Sequence, residues 1–212
     1  MEIERWGHIP YSKAHERQKR YVGEIAAGHR IETVVLCSHP PVVTLGKQST
    51  DEDLAGWSGE THSVERGGKA TYHGPGQIVC YPMIKLDNRG CGIGEYLAAL
   101  ERAVIETLAH YGVKSFGNKE RKNPALTGVW EERSGKKLAS IGVAVKRWVT
   151  SHGLALNLDL DPLAFQGIRP CGYEANAMTS LEAVIQKKID RGICERHLLD
   201  SLFPLLQQKE QA

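Results

Sequence analysis

Arg66-Gly67-Gly68-Lys69-Ala70-Thr71-Tyr72-His73-Gly74-Pro75-Gly76-Gln77 interleaves five glycines and prolines with an arginine, a histidine and a glutamine. Glycine permits positive φ and close backbone approach, and proline fixes φ while removing a donor. A connecting loop needs turn residues, but it does not also need Arg, Thr, Tyr, His and Gln set between them. The segment reads as a wall shaped for a ligand. The simpler alternative is a turn that delivers the chain to the strand Ile78-Val79-Cys80-Tyr81.

Outward from this stretch, short extended runs dominate the middle of the chain and helical periodicity holds its flanks. Tyr11, Ala14, Tyr21, Val22 and Ile25 predict an amphipathic helix from Tyr11 to about Ala27, with Gly28 as its C-cap. Thr33 to Cys37 and Val42 to Leu45 read as strands on either side of the break His39-Pro40-Pro41. A polar loop runs to about Gly59, followed by a short strand near Val64. Tyr96, Leu97, Leu100, Val104 and Leu108 predict a helix from Ile93 to about Tyr111. Gly128 to Glu132 and Lys137 to Val145 flank the hairpin turn Arg133-Ser134-Gly135-Lys136. A further strand is expected from His152 to Leu158, a helix start capped by Thr179 or Ser180, and a last helix that Pro204 bends or ends. No repeat or linker divides the chain, so residues 1–212 are read as one α+β domain, a mixed sheet flanked by helices.

Composition narrows the function. The 27 basic and 25 acidic residues leave a net charge of +2, too balanced for nucleic-acid binding by bulk electrostatics. The basic run Lys119-Glu120-Arg121-Lys122 reads as a solvated loop. Met1 to Trp6 lack the apolar core of a secretion signal, and no apolar stretch is long enough to span a bilayer. A cytoplasmic protein with no membrane contact is expected, as a monomer. Cys37, Cys80, Cys91, Cys171 and Cys194 are odd in number and widely spaced, so neither a disulfide framework nor a zinc site is expected.

Four positions stand out chemically. Cys171 lies in Pro170-Cys171-Gly172, a constrained turn and not an apolar strand like those of Cys37 and Cys80. It is either a reachable nucleophile or one more inert thiol. Lys137 opens its strand on the face of Ala139 and Ile141. There it either snorkels to solvent or is drawn inward, where an ammonium needs an anionic partner such as a thiolate. His73 in the glycine-rich run and His152 at a strand start each fit a base or a hydrogen-bonding wall residue.

Taken together, these segments resemble the lipoyl(octanoyl) transferases, the lipoate-biosynthesis protein B family. The signature R-G-G-x-x-T-Y-H-x-x-G-Q is met by Arg66 through Gln77 at every fixed position. A lysine motif matches Lys137 to Gly142, H-G-x-A-L-N matches His152 to Asn157, and P-C-G matches Pro170 to Gly172, with Thr179-Ser180-Leu181 following. The resemblance implies a biotin/lipoyl protein ligase-like catalytic domain. It implies transfer of an octanoyl or lipoyl group from acyl carrier protein to a lysine of lipoyl domains, those of 2-oxoacid dehydrogenase E2 subunits or the glycine cleavage H protein. Cys171 would be the nucleophile and Lys137 its activating cation, with no cofactor or metal.

By the same resemblance Arg66, Gly67, Gly68, Lys69, Ala70, Thr71, Tyr72, His73, Ser140, Ile141, Gly142, Gly153, Leu154 and Ala155 line the acyl tunnel. Gly76, Gln77, His152, Pro170 and Gly172 support it, and a backbone N–H near Gly76, Gln77 or Cys171 is expected to hold the oxyanion. Two rivals remain at this point. One is an ATP-dependent lipoate ligase of the same fold, which needs no nucleophilic cysteine. The other is a non-catalytic module that sequesters octanoyl groups.

Overall fold

Thr33-Val34-Val35-Leu36-Cys37-Ser38 is buried at every position, as a strand covered on both faces must be. In a computed structural model of the chain it is an interior strand, second from one edge of the large sheet. The structure describes residues 1–118, 126–161 and 164–207, with Cys171 described by its backbone. The basic run at residues 119–122 lies outside the described residues.

In chain order the elements are β1 (Glu2–His8), α1 (Tyr11–Ala26), β2 (Thr33–Ser38), β3 (Val42–Leu45), β4 (Glu60–Ser63), β5 (Ala70–His73) and β6 (Gln77–Met83). They continue with α2 (Ile93–Ala109), β7 (Ser115–Phe116), β8 (Gly128–Glu131), β9 (Lys137–Lys146), β10 (Val149–Asn157), α3 (Leu181–Ile185) and α4 (Arg191–Gln207). Seven strands form one sheet in the order β1-β2-β6-β10-β9-β8-β7, and β4-β3-β5 form a smaller second sheet. In the large sheet β1 runs parallel to β2, and the β2, β6, β10, β9, β8 and β7 pairings are antiparallel. The mixed sheet with flanking helices is the α+β architecture expected.

One face of the large sheet is covered by α2 and α4. Tyr96, Leu100, Val104, Leu108, Leu198 and Leu202 pack there against Val34, Ile78, Leu138 and Leu156. The other face meets α1, whose Tyr21, Val22 and Ile25 pack on Val35, Val79 and Tyr81. The small sheet closes a third cluster of Val43, Ala70, Tyr72, Phe165 and Ile168.

Several expectations are corrected. β1 was not expected, because it is a mostly exposed edge strand without an apolar period, and its register is broken by a bulge between Arg5 and Gly7. The strand expected near Val64 ends at Ser63. β10 starts three residues before His152, so His152 lies inside the strand. Ala70 to His73, read as part of a loop, is strand β5. α4 continues through Pro204 to Gln207, because Leu202 and Leu206 on either side of the proline both bury into the core. Among the described residues no helix is long and apolar enough to cross a membrane.

Candidate active site

The site is built on a glycine pair. Gly142 of β9 and Gly153 of β10 face each other across the hairpin. A Cβ at Gly142 would lie 3.1 Å from Arg66 Cδ, and one at Gly153 would lie 2.2 Å from the Cys80 carbonyl oxygen. The bare Gly153 lets β10 close on β6, and the bare Gly142 lets the Arg66–Gly68 segment lie on the hairpin, where Gly67 N donates to the Val143 carbonyl at 3.0 Å. Arg66 braces that segment. Its guanidinium donates to the carbonyls of Gly67, Lys69 and Thr44 and to Thr44 Oγ1 at 2.7–3.0 Å. These four acceptors are neutral oxygens, three of them backbone carbonyls.

Between the hairpin, this segment and α1 lies a cleft of about 730 Å³, its open mouth included. Arg66, Gly67, Gly68, Lys69, Thr71, His73, Ser140, Ile141, Gly142, Gly153, Leu154 and Ala155 line it. Ala70 and Tyr72 do not. Successive strand residues point to opposite faces, and β5 turns these two toward Val43 and Phe165. Tyr11, Gln48, Tyr81 and Thr127 also line the cleft and escaped sequence reasoning. Tyr11 lay in a helical apolar pattern that gave no hint of a ligand, and Tyr81 lay in a buried strand.

A hydrogen-bonded chain ties the sequence motifs together. His73 Nδ1 lies 3.3 Å from Gln77 Oε1. Gln77 Nε2 donates to Asn157 Oδ1 at 2.9 Å, Asn157 Nδ2 donates to the Thr179 carbonyl at 2.9 Å, and Thr179 N donates to the Lys137 carbonyl at 3.0 Å. Lys137 is fully buried. Its Nζ has no hydrogen-bond partner among the described residues and sits 5.0 Å from the Trp130 ring centroid. Gly128 makes room for it, since a Cβ there would lie 2.5 Å from Lys137 Cε. The inward of the two readings of Lys137 therefore holds.

Pro170–Gly172 forms a single 3-10 turn. It is anchored by Arg169 N donating to the Asp53 carbonyl at 3.0 Å. A Cβ on Gly172 would lie 3.5 Å from Lys69 Nζ, so the turn abuts a residue that lines the cleft. Tyr173, next along, packs edge-on against Trp130 at 5.1 Å between centroids. Trp130 thus touches both the lysine and the chain two residues after Cys171. Gly76 serves the scaffold: its carbonyl accepts from Leu158 N and Asp159 N, and a Cβ would collide with the Asp159 carbonyl oxygen. The Gln77 N–H donates to the Gly74 carbonyl at 3.2 Å, which removes it from the oxyanion donors considered.

Both histidines are held neutral. Burial, and then His39 and Arg66, push His73 well below the usual histidine range. Burial, and then His15 and Arg66, bring His152 down to about 3. His152 adopts φ 57°, its N–H donates to Gln18 Oε1 at 2.8 Å, and its Nδ1 lies 3.4 Å from the Tyr11 hydroxyl. A neutral imidazole with a bound partner is a wall group here more readily than a cation. A buried ammonium beside an apolar-walled cleft can stabilise an adjacent anion, and the cleft itself can take an extended apolar chain.

The lipoyl protein ligase A/B catalytic domain family matches residues 10–203. An octanoyltransferase of Syntrophotalea carbinolica is 46% identical over 184 residues, 87% of this chain and 84% of that one. An octanoyltransferase of Geobacter metallireducens is 38% identical with both chains fully covered. Among solved structures, a bi-partite lipoate protein ligase from Thermoplasma acidophilum superposes with a TM-score of 0.70 at 14% identity, over 98% of this chain and 84% of that one. A biotin protein ligase from Aquifex aeolicus gives 0.54 at 10% identity, over 97% and 68%. At those identities the two structures speak for the fold alone.

Proposed function

We propose, for a chain that belongs to the lipoyl protein ligase A/B catalytic domain family, that it transfers an octanoyl group through a thioester on Cys171. The chain is an acyltransferase of the octanoyltransferase kind. The donor in this reading is octanoyl-acyl carrier protein and the acceptor a lysine of a lipoyl domain.

The observation that carries the reading is Lys137, a fully buried ammonium without a hydrogen-bond partner among the described residues. An isolated buried charge is costly. A thiolate from the neighbouring turn supplies the missing counter-charge and is itself stabilised by the cation. In the first step the Cys171 thiolate attacks the donor thioester carbonyl. The bond to the carrier sulfur breaks, and Lys137 gives that sulfur a proton. In the second step the neutral amine of the acceptor lysine attacks the octanoyl-cysteine. The C–N bond forms as the C–S bond breaks, Lys137 takes the amine proton, and the thiolate is restored. Covalent catalysis separates the encounters with two protein partners. The product amide is more stable than either thioester, so no nucleotide is needed.

The cleft accounts for acyl binding. Ile141 and Leu154 offer contact area, Gly142 and Gly153 leave space, and each buried methylene contributes about 0.8 kcal/mol. Incubation with octanoyl-acyl carrier protein, without ATP or acceptor, should give one octanoyl adduct by intact mass. That adduct should be lost to hydroxylamine and absent in Cys171→Ala. Acceptor modification only with free octanoate and ATP would instead assign the ligase reaction.

A further inference from the structure

Five of the nine histidines gather around Tyr11. His15, His39, His62 and His73 make ring contacts with it at 5.3–5.9 Å between centroids, and His152 meets its hydroxyl. His73 and His152 belong to the cleft wall, but the transfer reaction gives no role to His15, His39 or His62. On its outer side three donors from separate parts of the chain converge: His15 of α1, Glu65 between β4 and β5, and His152 of β10. Their ligating atoms all lie within 4.8 Å of one another, and His15 Nε2 is 3.0 Å from Glu65 Oε2.

We propose that His15, Glu65 and His152 form a binding site for a divalent transition-metal ion of the zinc type, set against the inner wall of the cleft. Two imidazoles and a carboxylate, with water completing the shell, form a donor set that suits zinc. Ligands about 2 Å from a tetrahedral ion stand roughly 3.4 Å apart. The observed spread therefore needs an inward movement of about 1 Å. Glu65, with 56% of its side chain exposed, can contribute to it without disturbing the core.

The surroundings prepare the ligands. The Tyr11 hydroxyl beside His152 Nδ1 orients that ring from the outer shell and leaves Nε2 for the ion. Lys19 opposes binding, since its Nζ lies 3.3 Å from Glu65 Oε1. The ligands come from positions 15, 65 and 152, so no short-range spacing in the sequence could reveal them. The site stands on geometry alone and does not depend on the transfer reaction.

The test is zinc retention after equilibrium dialysis near neutral pH, with calorimetric titration of the full chain. Wild type and Cys171→Ala should each hold one zinc. His15→Ala and Glu65→Gln should weaken binding by at least the roughly 10- to 100-fold that loss of an outer-shell partner costs. Lys19→Met should tighten it. Glu65→Gln alters a largely exposed side chain, so its result stands even where His15→Ala perturbs the helix. Absence of zinc from wild type, binding by both ligand variants equal to wild type, or loss of zinc with Cys171 would each overturn the proposal.

Discussion

Gln77 and Asn157 face each other across β6 and β10 and are joined by a 2.9 Å hydrogen bond from Gln77 Nε2 to Asn157 Oδ1. Both are almost wholly buried, and each spends its remaining polar atoms on a different part of the site. Gln77 reaches His73 and the Tyr72 carbonyl. Asn157 reaches the Thr179 carbonyl, whose own N–H holds the strand end of Lys137. The pair therefore transmits the position of the glycine-rich segment to the start of β9.

Removing either member leaves a buried polar group unsatisfied, which costs about 1–3 kcal/mol. Asn157→Ala and Gln77→Ala should each destabilise the domain by that amount, and the double variant by less than the sum. At about 2–4 °C per kcal/mol for a domain of this size, thermal melts resolve the difference. Full additivity would show that the two side chains do not act as one unit.

The glycine pair separates scaffold from cleft. A Cβ on Gly153 would lie 2.2 Å from a backbone oxygen, which cannot yield, whereas one on Gly142 would meet Arg66 Cδ at 3.1 Å and the Gly67 carbonyl oxygen at 3.4 Å, a tight contact that a shift of a few tenths of an ångström relieves. Gly153→Ala should fail to fold or lose several kcal/mol, on the scale of overpacking. Gly142→Ala should fold with a smaller loss than Gly153→Ala and bind the acyl donor more weakly, because its methyl presses on the Arg66–Gly68 segment and intrudes on the cleft. Kinetics on the octanoyl donor would show this as a raised KM. An unchanged KM would remove Gly142 from the cleft lining.

Local pattern carried much of this architecture. The periodicity of Tyr11 to Ile25 and of Tyr96 to Leu108 marked α1 and α2, and the apolar runs at Thr33 and Ile78 marked the central strands. Each of those signals reports burial against a core. β1 stayed hidden because an exposed edge strand has no apolar period. Ala70 to His73 was hidden by flanking glycines that looked like loop. At the site, the motif residues from Arg66 to Ala155 were legible through resemblance, but the orientation of Ala70 and Tyr72 required knowing that β5 is a strand. Tyr11 and Tyr81 were illegible because a tyrosine on an apolar face looks the same whether it meets a ligand or the core. The gathering of His15, Glu65 and His152 depends on tertiary contacts that no short window contains.

Acid should destabilise this fold earlier than carboxylate protonation alone would. Burial brings His39 down to about 4 and His152 to about 3, against about 6.5 in an unfolded chain. Above pH 6.5 neither state binds the proton and nothing is lost. Below it the unfolded chain binds protons that the native state refuses, so stability falls by about 1.4 kcal/mol per pH unit for each histidine. The loss levels off near pH 4 for His39 and near pH 3 for His152. Urea midpoints should therefore fall between pH 6.5 and 4, and His39→Gln should flatten the slope. A midpoint independent of pH across that window would contradict the neutral, buried state of these rings.

Lys137 offers the sharpest separation of stability from chemistry. The Lys137 ammonium is fully buried with no hydrogen-bond partner among the described residues, and an apolar side chain of similar length removes the cost of burying that charge, so Lys137→Met should melt at or above the wild-type temperature. The same change removes the cation held to lower the Cys171 pKa. Its alkylation midpoint should rise by about one or two pH units, a roughly 10- to 100-fold loss of thiolate near neutrality. The other thiols permit the measurement. Burial raises Cys37 and Cys80 far above the usual thiol range and Cys194 to about 11, and the half-buried Cys91 is removed by Cys91→Ser. Alkylation rates followed against pH by intact mass would then report on Cys171 alone. A raised melting temperature with a shifted curve assigns Lys137 to the chemistry, whereas an unshifted curve in a well-folded variant would end its role as the activating cation.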